Sequence, residues 1–136
     1  MKPIYQDGYV SDPHNVFNHL SELDWIQVTE ARLEYFMADR PLSYTYGKPP
    51  FDREYHSKGY TEPVFAIQCK LNTELRCDYN VCFLNRYDNQ KHQLGWHADD
   101  SPTMDKSHPI AVISFGAERD IWWKLKEEKG VVPLDQ

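Results

Sequence analysis

A histidine and an aspartate stand two residues apart in Gly95-Trp96-His97-Ala98-Asp99-Asp100, shortly after the alternating run Val81 to Tyr87. On extended backbone, residues i and i+2 project from the same side of a strand, so this imidazole and this carboxylate can reach one metal ion. They supply two ligands of a three-ligand site. Six histidines in an acidic chain make a chance His-x-Asp common, and the pattern takes its weight from its neighbours. Asn85 and Tyr87 lie ten to twelve residues before His97, on what should be an adjacent strand. An amide and a phenol pointing the same way can hydrogen-bond an anionic organic ligand beside a metal, because each buried polar group needs a partner. Taken alone, the same two residues are a core tyrosine and an asparagine capping a turn.

The elements that must position these groups follow from periodicity. Ser11-Asp12-Pro13 combines a capping side chain with a proline near the first helical position, and Val16, Phe17, Leu20 and Leu23 then recur at helical spacing. This predicts an amphipathic helix over 12–23, resting on the core. Trp25 to Phe36 reads as extended, alternating around Ile26, Val28 and Leu33. Thr61-Glu62-Pro63 starts a second helix with the stripe Val64, Ile67, Leu71 and Leu75. The period changes to two over 79–87, where Val81, Phe83, Asn85 and Tyr87 share a face. A turn at 88–91 leads to a strand over Gln93 to Asp99, and Ile110 to Phe115 and Asp120 to Leu125 read as two more, joined at Gly116-Ala117-Glu118. Helices followed by a run of strands predict an α+β fold with a mainly antiparallel sheet and the helices on one side.

Between Arg40 and Tyr60 the composition shifts to three prolines, two glycines and five aromatic residues, among them Tyr55 and Tyr60, interleaved with Arg40, Lys48, Arg53 and Lys58. Such prolines obstruct helix and central strand, so an ordered loop or short hairpin is expected. Interleaved basic and aromatic side chains suit a surface that grips phosphates and stacks bases. A tyrosine-rich loop packed on a sheet is the blander alternative.

At 136 residues the chain is expected to form one domain, 1–136. No run approaches a membrane span, and Met1-Lys2-Pro3-Ile4 opens no apolar leader, which points to the cytoplasm, or the nucleus in a eukaryote. Cys69, Cys77 and Cys82 show no zinc or redox spacing and are expected to be buried free thiols. The net charge of -6 argues against a general nucleic-acid binder, leaving only a local basic patch for that role.

The order Asn85-x-Tyr87, Gly95-Trp96-His97-x-Asp99-Asp100 and Pro109-Ile110-Ala111-x-x-Ser114-Phe115-Gly116-Ala117-x-Arg119 resembles the AlkB-like family of iron(II) and 2-oxoglutarate dioxygenases. The resemblance runs from about Arg40 to Leu125. It implies a double-stranded β-helix, or jelly roll, with 1–78 providing N-terminal helices and a substrate lid and 79–136 the first strands of the core. It further implies that His97 and Asp99 are the proximal iron ligands of a facial triad with positions open for cosubstrate and oxygen. Asn85 and Tyr87 would bind 2-oxoglutarate, Asp100 would help hold the substrate near the metal, Arg119 would lie beside the substrate pocket, and Tyr46 and Tyr55 would belong to the lid. The implied reaction hydroxylates the alkyl carbon of an N-alkylated base in DNA or RNA. The carbon leaves as an aldehyde, and in a duplex the base is first extruded.

The family pattern also requires a distal histidine and later arginines that anchor the 2-oxoglutarate carboxylate. After Arg119 this chain has neither residue type. The sequence therefore predicts that the third ligand lies outside this chain, as part of a longer enzyme. Two alternatives stand beside that expectation: a natural non-catalytic binding module, or a site completed by elements of another chain. His92 and His108 are further candidates for a third ligand, each in a predicted loop. Half a jelly roll would expose strand edges and an apolar face, so weak stability or self-association is expected. Oxygenases acting on a protein, lipid or small molecule, or modifying rather than repairing a base, remain an alternative that the acidic charge favours.

Overall fold

The computed structural model describes residues 3–46, 49–50, 52–94, 107–119, 121–123 and 132–134. The chain divides into two compact units, one made of Met1–Ser21 with Ile110–Gln136 and the other of Glu22–Pro109.

The second unit is built on one long strand. A first strand, β1 (Ile26–Thr29), turns at Glu30 and Ala31 into β2 (Arg32–Ala38), the Ala31 N–H donating to Thr29 Oγ1 at 3.2 Å. β1 pairs antiparallel with the start of β2, with a register shift between Ile26 and Thr29. β6 (Val81–Arg86) runs antiparallel to β2 in unbroken register from Leu33↔Arg86 to Ala38↔Val81. The two-residue β5 (Lys58–Gly59) lies parallel to β2, with Met37 opposite Lys58. Since a strand has two edges, β1 and β5 share one edge of β2 and β6 takes the other. The sheet is thus mixed rather than purely antiparallel, and among the described residues it does not close.

Between β2 and β5 the chain forms the antiparallel hairpin β3 (Ser43–Tyr46) and β4 (Arg53–His56), the hairpin form expected for this stretch. The Leu42 N–H donates to Ser57 Oγ, and the Ser57 N–H returns to the Leu42 carbonyl, closing the hairpin at its root. The second helix, which we label α2 (Glu62–Leu75), begins where Thr61 and Pro63 predict. It ends at Arg76, whose φ of 53° is left-handed, and the Asn72 side chain binds both the N–H and the carbonyl of Tyr79, hooking the helix end to the approach to β6. Val64 is buried, Ile67 and Leu71 half-buried, and Leu75 exposed, so the expected stripe fades toward the helix end. Gln68 is also buried, accepting a hydrogen bond from the Tyr60 hydroxyl.

The alternation expected around Leu33 is inverted in β2. Arg32, Glu34 and Phe36 are buried while Leu33 and Tyr35 are half-buried, because Tyr55 and Arg53 come down on the face of Glu34. Phe36, Met37, Ala38, Val64 and Cys77 are the buried apolar side chains among the described residues, each large one contributing about 2 kcal/mol of apolar burial.

In the first unit, the helix α1 (Pro13–Ser21) is shorter at both ends than the 12–23 expected and has no buried residue. Asp12 precedes it and accepts a hydrogen bond from the Asn15 amide at 2.8 Å. Gly116 has a φ of +92°, and a Cβ there would lie 2.9 Å from the Phe17 ring, so the predicted joint at Gly116 needs glycine on both counts. Ile110 to Phe115 forms no strand, contrary to its composition, and Val112 is 72% exposed. β-branched residues suit a strand only where a partner ladder receives them. β7 (Ile121–Trp123), within the segment expected as the last strand, pairs antiparallel with β8 (Val132–Leu134).

All three cysteines are free, but only Cys77 is fully buried, and Cys69 is exposed. No helix among the described residues is long and apolar enough to cross a membrane.

Candidate active site

The β2–β6 register places Glu34 directly opposite Asn85 and Phe36 opposite Phe83, so these four side chains and Arg32 share one face of the sheet. Glu34 is 1% exposed. A carboxylate withdrawn from water needs strong partners. Tyr55 donates to its Oε2 at 2.8 Å, Arg53 Nη1 lies 3.5 Å from Oε1, and Arg32 Nη2 lies 3.6 Å from Oε2. Two guanidinium groups against one carboxylate leave this cluster with a net positive charge.

Tyr55 reaches the cluster from β4. Its ring meets Phe83 edge-on at 4.9 Å, so the hairpin covers this face of the sheet. Burial, then the hydrogen bond to Glu34, pushes its phenol up to about 12, and it remains a neutral donor at any ordinary pH.

Arg32 links the carboxylate to the amide. Its Nε donates to Asn85 Oδ1 at 3.3 Å and its Nη1 to the Gln93 carbonyl at 3.4 Å. With Oδ1 turned to Arg32, the Asn85 NH2 is directed to the other side of the amide, where it can donate to an acceptor. Tyr87 follows one residue beyond the end of β6 and is 38% exposed. Arg86 leaves the face on the opposite side, paired with Asp88 at 2.6 Å and lying over the Trp25 ring.

The turn after β6 is tied down by side chains. Asn89 Oδ1 accepts from the N–H groups of Lys91 and His92, and the nearly buried His92 accepts the Asp88 N–H on Nδ1 at 2.9 Å. One ring nitrogen of His92 is thus occupied in holding the turn. Gln93 donates its N–H to the Ala31 carbonyl at 2.7 Å, which anchors the chain at the entrance to the His97 segment. His97, Asp99 and Asp100 themselves lie outside the described residues. Tyr46 ends β3 opposite Arg53. His108 is half-buried at the end of the second unit, and Arg119 is an exposed residue of the first.

The structure therefore brings together Asn85 and Tyr55, one expected near the cosubstrate and one in the lid, through two residues singled out for neither role. Arg32 and Glu34 carried a signal nonetheless: opposite charges two positions apart within a strand that otherwise reads Leu-x-Tyr-Phe-Met-Ala.

Among the described residues no group of three or more His, Cys, Asp and Glu side chains is arranged to hold a metal ion. The donor types of His97 and Asp99, one imidazole and one carboxylate, fit iron(II). The Asn85 amide and the surplus positive charge beside it fit an anionic ligand.

The class of protein is shown by comparison with known proteins. The chain belongs to the 2OG-Fe(II) oxygenase superfamily, whose family model matches residues 1–134, and within it is AlkB-like. It is 27% identical over 122 residues to the alpha-ketoglutarate-dependent dioxygenase alkB homolog 3 of Bos taurus, covering 82% of this chain and 42% of that protein. The corresponding mouse protein is 28% identical over 138 residues, covering 84% of this chain and 46% of that one. The DNA oxidative demethylase ALKBH2 of Arabidopsis thaliana is 39% identical over 51 residues, which is 38% of this chain and 16% of that protein. The matched segment thus spans less than half the length of each of these relatives. No solved structure matches the chain.

Proposed function

We propose that this protein is an iron(II) and 2-oxoglutarate-dependent dioxygenase that removes alkyl groups oxidatively from nucleic-acid bases, on a jelly-roll domain whose first strands are those described. The observation that carries this reading is the convergence of Tyr55, Arg53 and Asn85 on Glu34 and Arg32, which seats a tyrosine-bearing hairpin over the face that presents the expected cosubstrate amide. The similarity to a DNA oxidative demethylase supports the substrate class.

In this reading His97 and Asp99 hold the iron, which when bound supplies oxygen activation coupled to oxidation of 2-oxoglutarate. Asn85 and Tyr87 orient the keto acid by hydrogen bonds to its oxygens. The hairpin, with Tyr46 and Tyr55, closes over the base and excludes water, while Asp100 and Arg119 contact the substrate.

The experiment is incubation of the purified protein with iron(II), 2-oxoglutarate and N-methylated single-stranded oligonucleotides, followed by mass spectrometry of bases and of succinate. The expected outcome is loss of the methyl mass in step with succinate, both abolished in His97→Ala; succinate release unchanged in that variant removes the assignment. The acidic net charge of -6 favours a second reading, in which the same chemistry acts on a substrate other than nucleic acid. Succinate formation without any salt-sensitive oligonucleotide binding would select it. Iron-dependent succinate formation of either kind excludes a non-catalytic binding domain.

A further inference from the structure

We propose that Glu34 is a positioning residue whose carboxylate couples the seating of the β3–β4 hairpin to the orientation of the Asn85 amide. This inference rests on the reading of Asn85 as a group that binds 2-oxoglutarate. The couple has two halves joined at one side chain. On the hairpin side, Tyr55 and Arg53 both end on Glu34, one on each carboxylate oxygen. On the sheet side, Arg32 lies 3.6 Å from Oε2 and carries the connection to Asn85 Oδ1 at 3.3 Å.

The geometry makes the connection directional. A guanidinium is planar and bonds along fixed edges, so Arg32 cannot turn toward the carboxylate without withdrawing Nε from the amide. Arg32 has 7% side-chain exposure and also holds the Gln93 carbonyl, which leaves it few other positions. With the hairpin seated, three donors share the carboxylate and the Arg32 fork stays divided between Glu34 and Asn85. With the hairpin lifted, Glu34 loses Tyr55 and Arg53 together, and its full charge falls to Arg32. That pull rotates the fork and releases Oδ1, and the Asn85 NH2 loses its fixed direction. The lid thus readies the cosubstrate amide without touching it.

Simple attachment of the hairpin does not require this wiring, since an apolar pair would hold it at less desolvation cost. What the charges add is a dependence of Asn85 on a contact made from β4, 30 positions earlier in the chain.

The test is Glu34→Gln in the full chain, read by backbone hydrogen exchange over 43–56 and by the side-chain NH2 resonances of Asn85, neither of which requires iron or turnover. The expected result is an exchange rate about tenfold faster in the hairpin, a shifted or averaged Asn85 NH2 pair, and unchanged exchange in α2. Faster hairpin exchange with the Asn85 resonances unmoved overturns the proposal and leaves Glu34 an anchor alone. Should Glu34→Gln fail to fold, Tyr55→Phe and Arg53→Gln carry the same test. Neither residue hydrogen-bonds to Asn85, so a shift of its NH2 pair in either variant supports the coupling and unmoved signals in both refute it. Binding of 2-oxoglutarate to the unaltered protein is measured separately by titration. Its absence overturns the cosubstrate role of Asn85, while exchange and resonances still decide the coupling.

Discussion

One face of the β2–β6 ladder carries a carboxylate, two guanidinium groups, a phenol and an amide wired together; the other carries Met37, Leu84 and Cys82, with Tyr35 between the Trp25 ring and the Lys58 ammonium. Both faces are largely removed from water, yet only the second follows the usual rule of an apolar interior. The difference teaches that burial and stabilisation are separate matters in this sheet. Met37 is 0% exposed and gains directly from leaving water. Glu34 is as deeply placed and is tolerated there only because Tyr55, Arg53 and Arg32 meet its two oxygens.

The most severe way to break the comparison is Glu34→Ala, which leaves Arg32 and Arg53 without their shared counter-charge. It is expected to cost about 4 kcal/mol in urea unfolding, whereas replacing Arg32, Glu34 and Arg53 together by leucine should cost about 2 kcal/mol, mostly from the lost Arg32 bonds to Asn85 and Gln93. If the triple variant is as damaged as the single one, the charges are stabilising in themselves and the contrast between the faces is lost. On the apolar side, Met37→Ala removes a fully buried side chain and opens a cavity, for an expected loss of about 3 kcal/mol by the same measurement.

A smaller effect separates the faces by pH. Burial pushes the Cys82 thiol up to about 11 from its ordinary 9.0, so folding favours the neutral form. That contribution is complete below about pH 9 and disappears as pH climbs through 11; the half-buried, Glu34-bonded Tyr55 phenol adds a smaller loss between 10 and about 12. At about pH 10.5 the protein should be roughly 2 kcal/mol or more less stable than at pH 8, and Cys82→Ala should remove a large part of that decline. An equal decline in the variant would assign the alkaline sensitivity to the raised phenols of Tyr55, Tyr60 and Tyr79 instead.

Much of this arrangement is legible in the residues. Thr61-Glu62-Pro63 announces α2, the prolines and tyrosines of 40–60 announce an ordered loop or short hairpin, and the alternation of 81–86 announces β6. The orientation of β2 is not legible, because alternation shows that two faces exist and says nothing of what covers each. Here the covering groups, Arg53 and Tyr55, come from about twenty residues further along, and only their arrival makes a buried Glu34 tolerable. The segment Ile110–Phe115 misleads for the complementary reason: its β-branched residues suit a ladder, and among the described residues none is formed. Asn85 stands out in the sequence only together with the His97 motif, whereas the arginine that holds its amide lies 53 positions away and belongs to no motif.

The short strand β5 runs in the same direction as β2, and from that alone something follows for the whole hairpin. Two strands pointing the same way cannot be joined by a tight turn; the chain must travel back and re-enter from the starting side. Here that return journey takes the residues between Ala38 and Lys58, and the detour becomes the cover over Glu34. Reversing β5 would permit a shortcut of a few residues, and the polar face would then lie open to solvent.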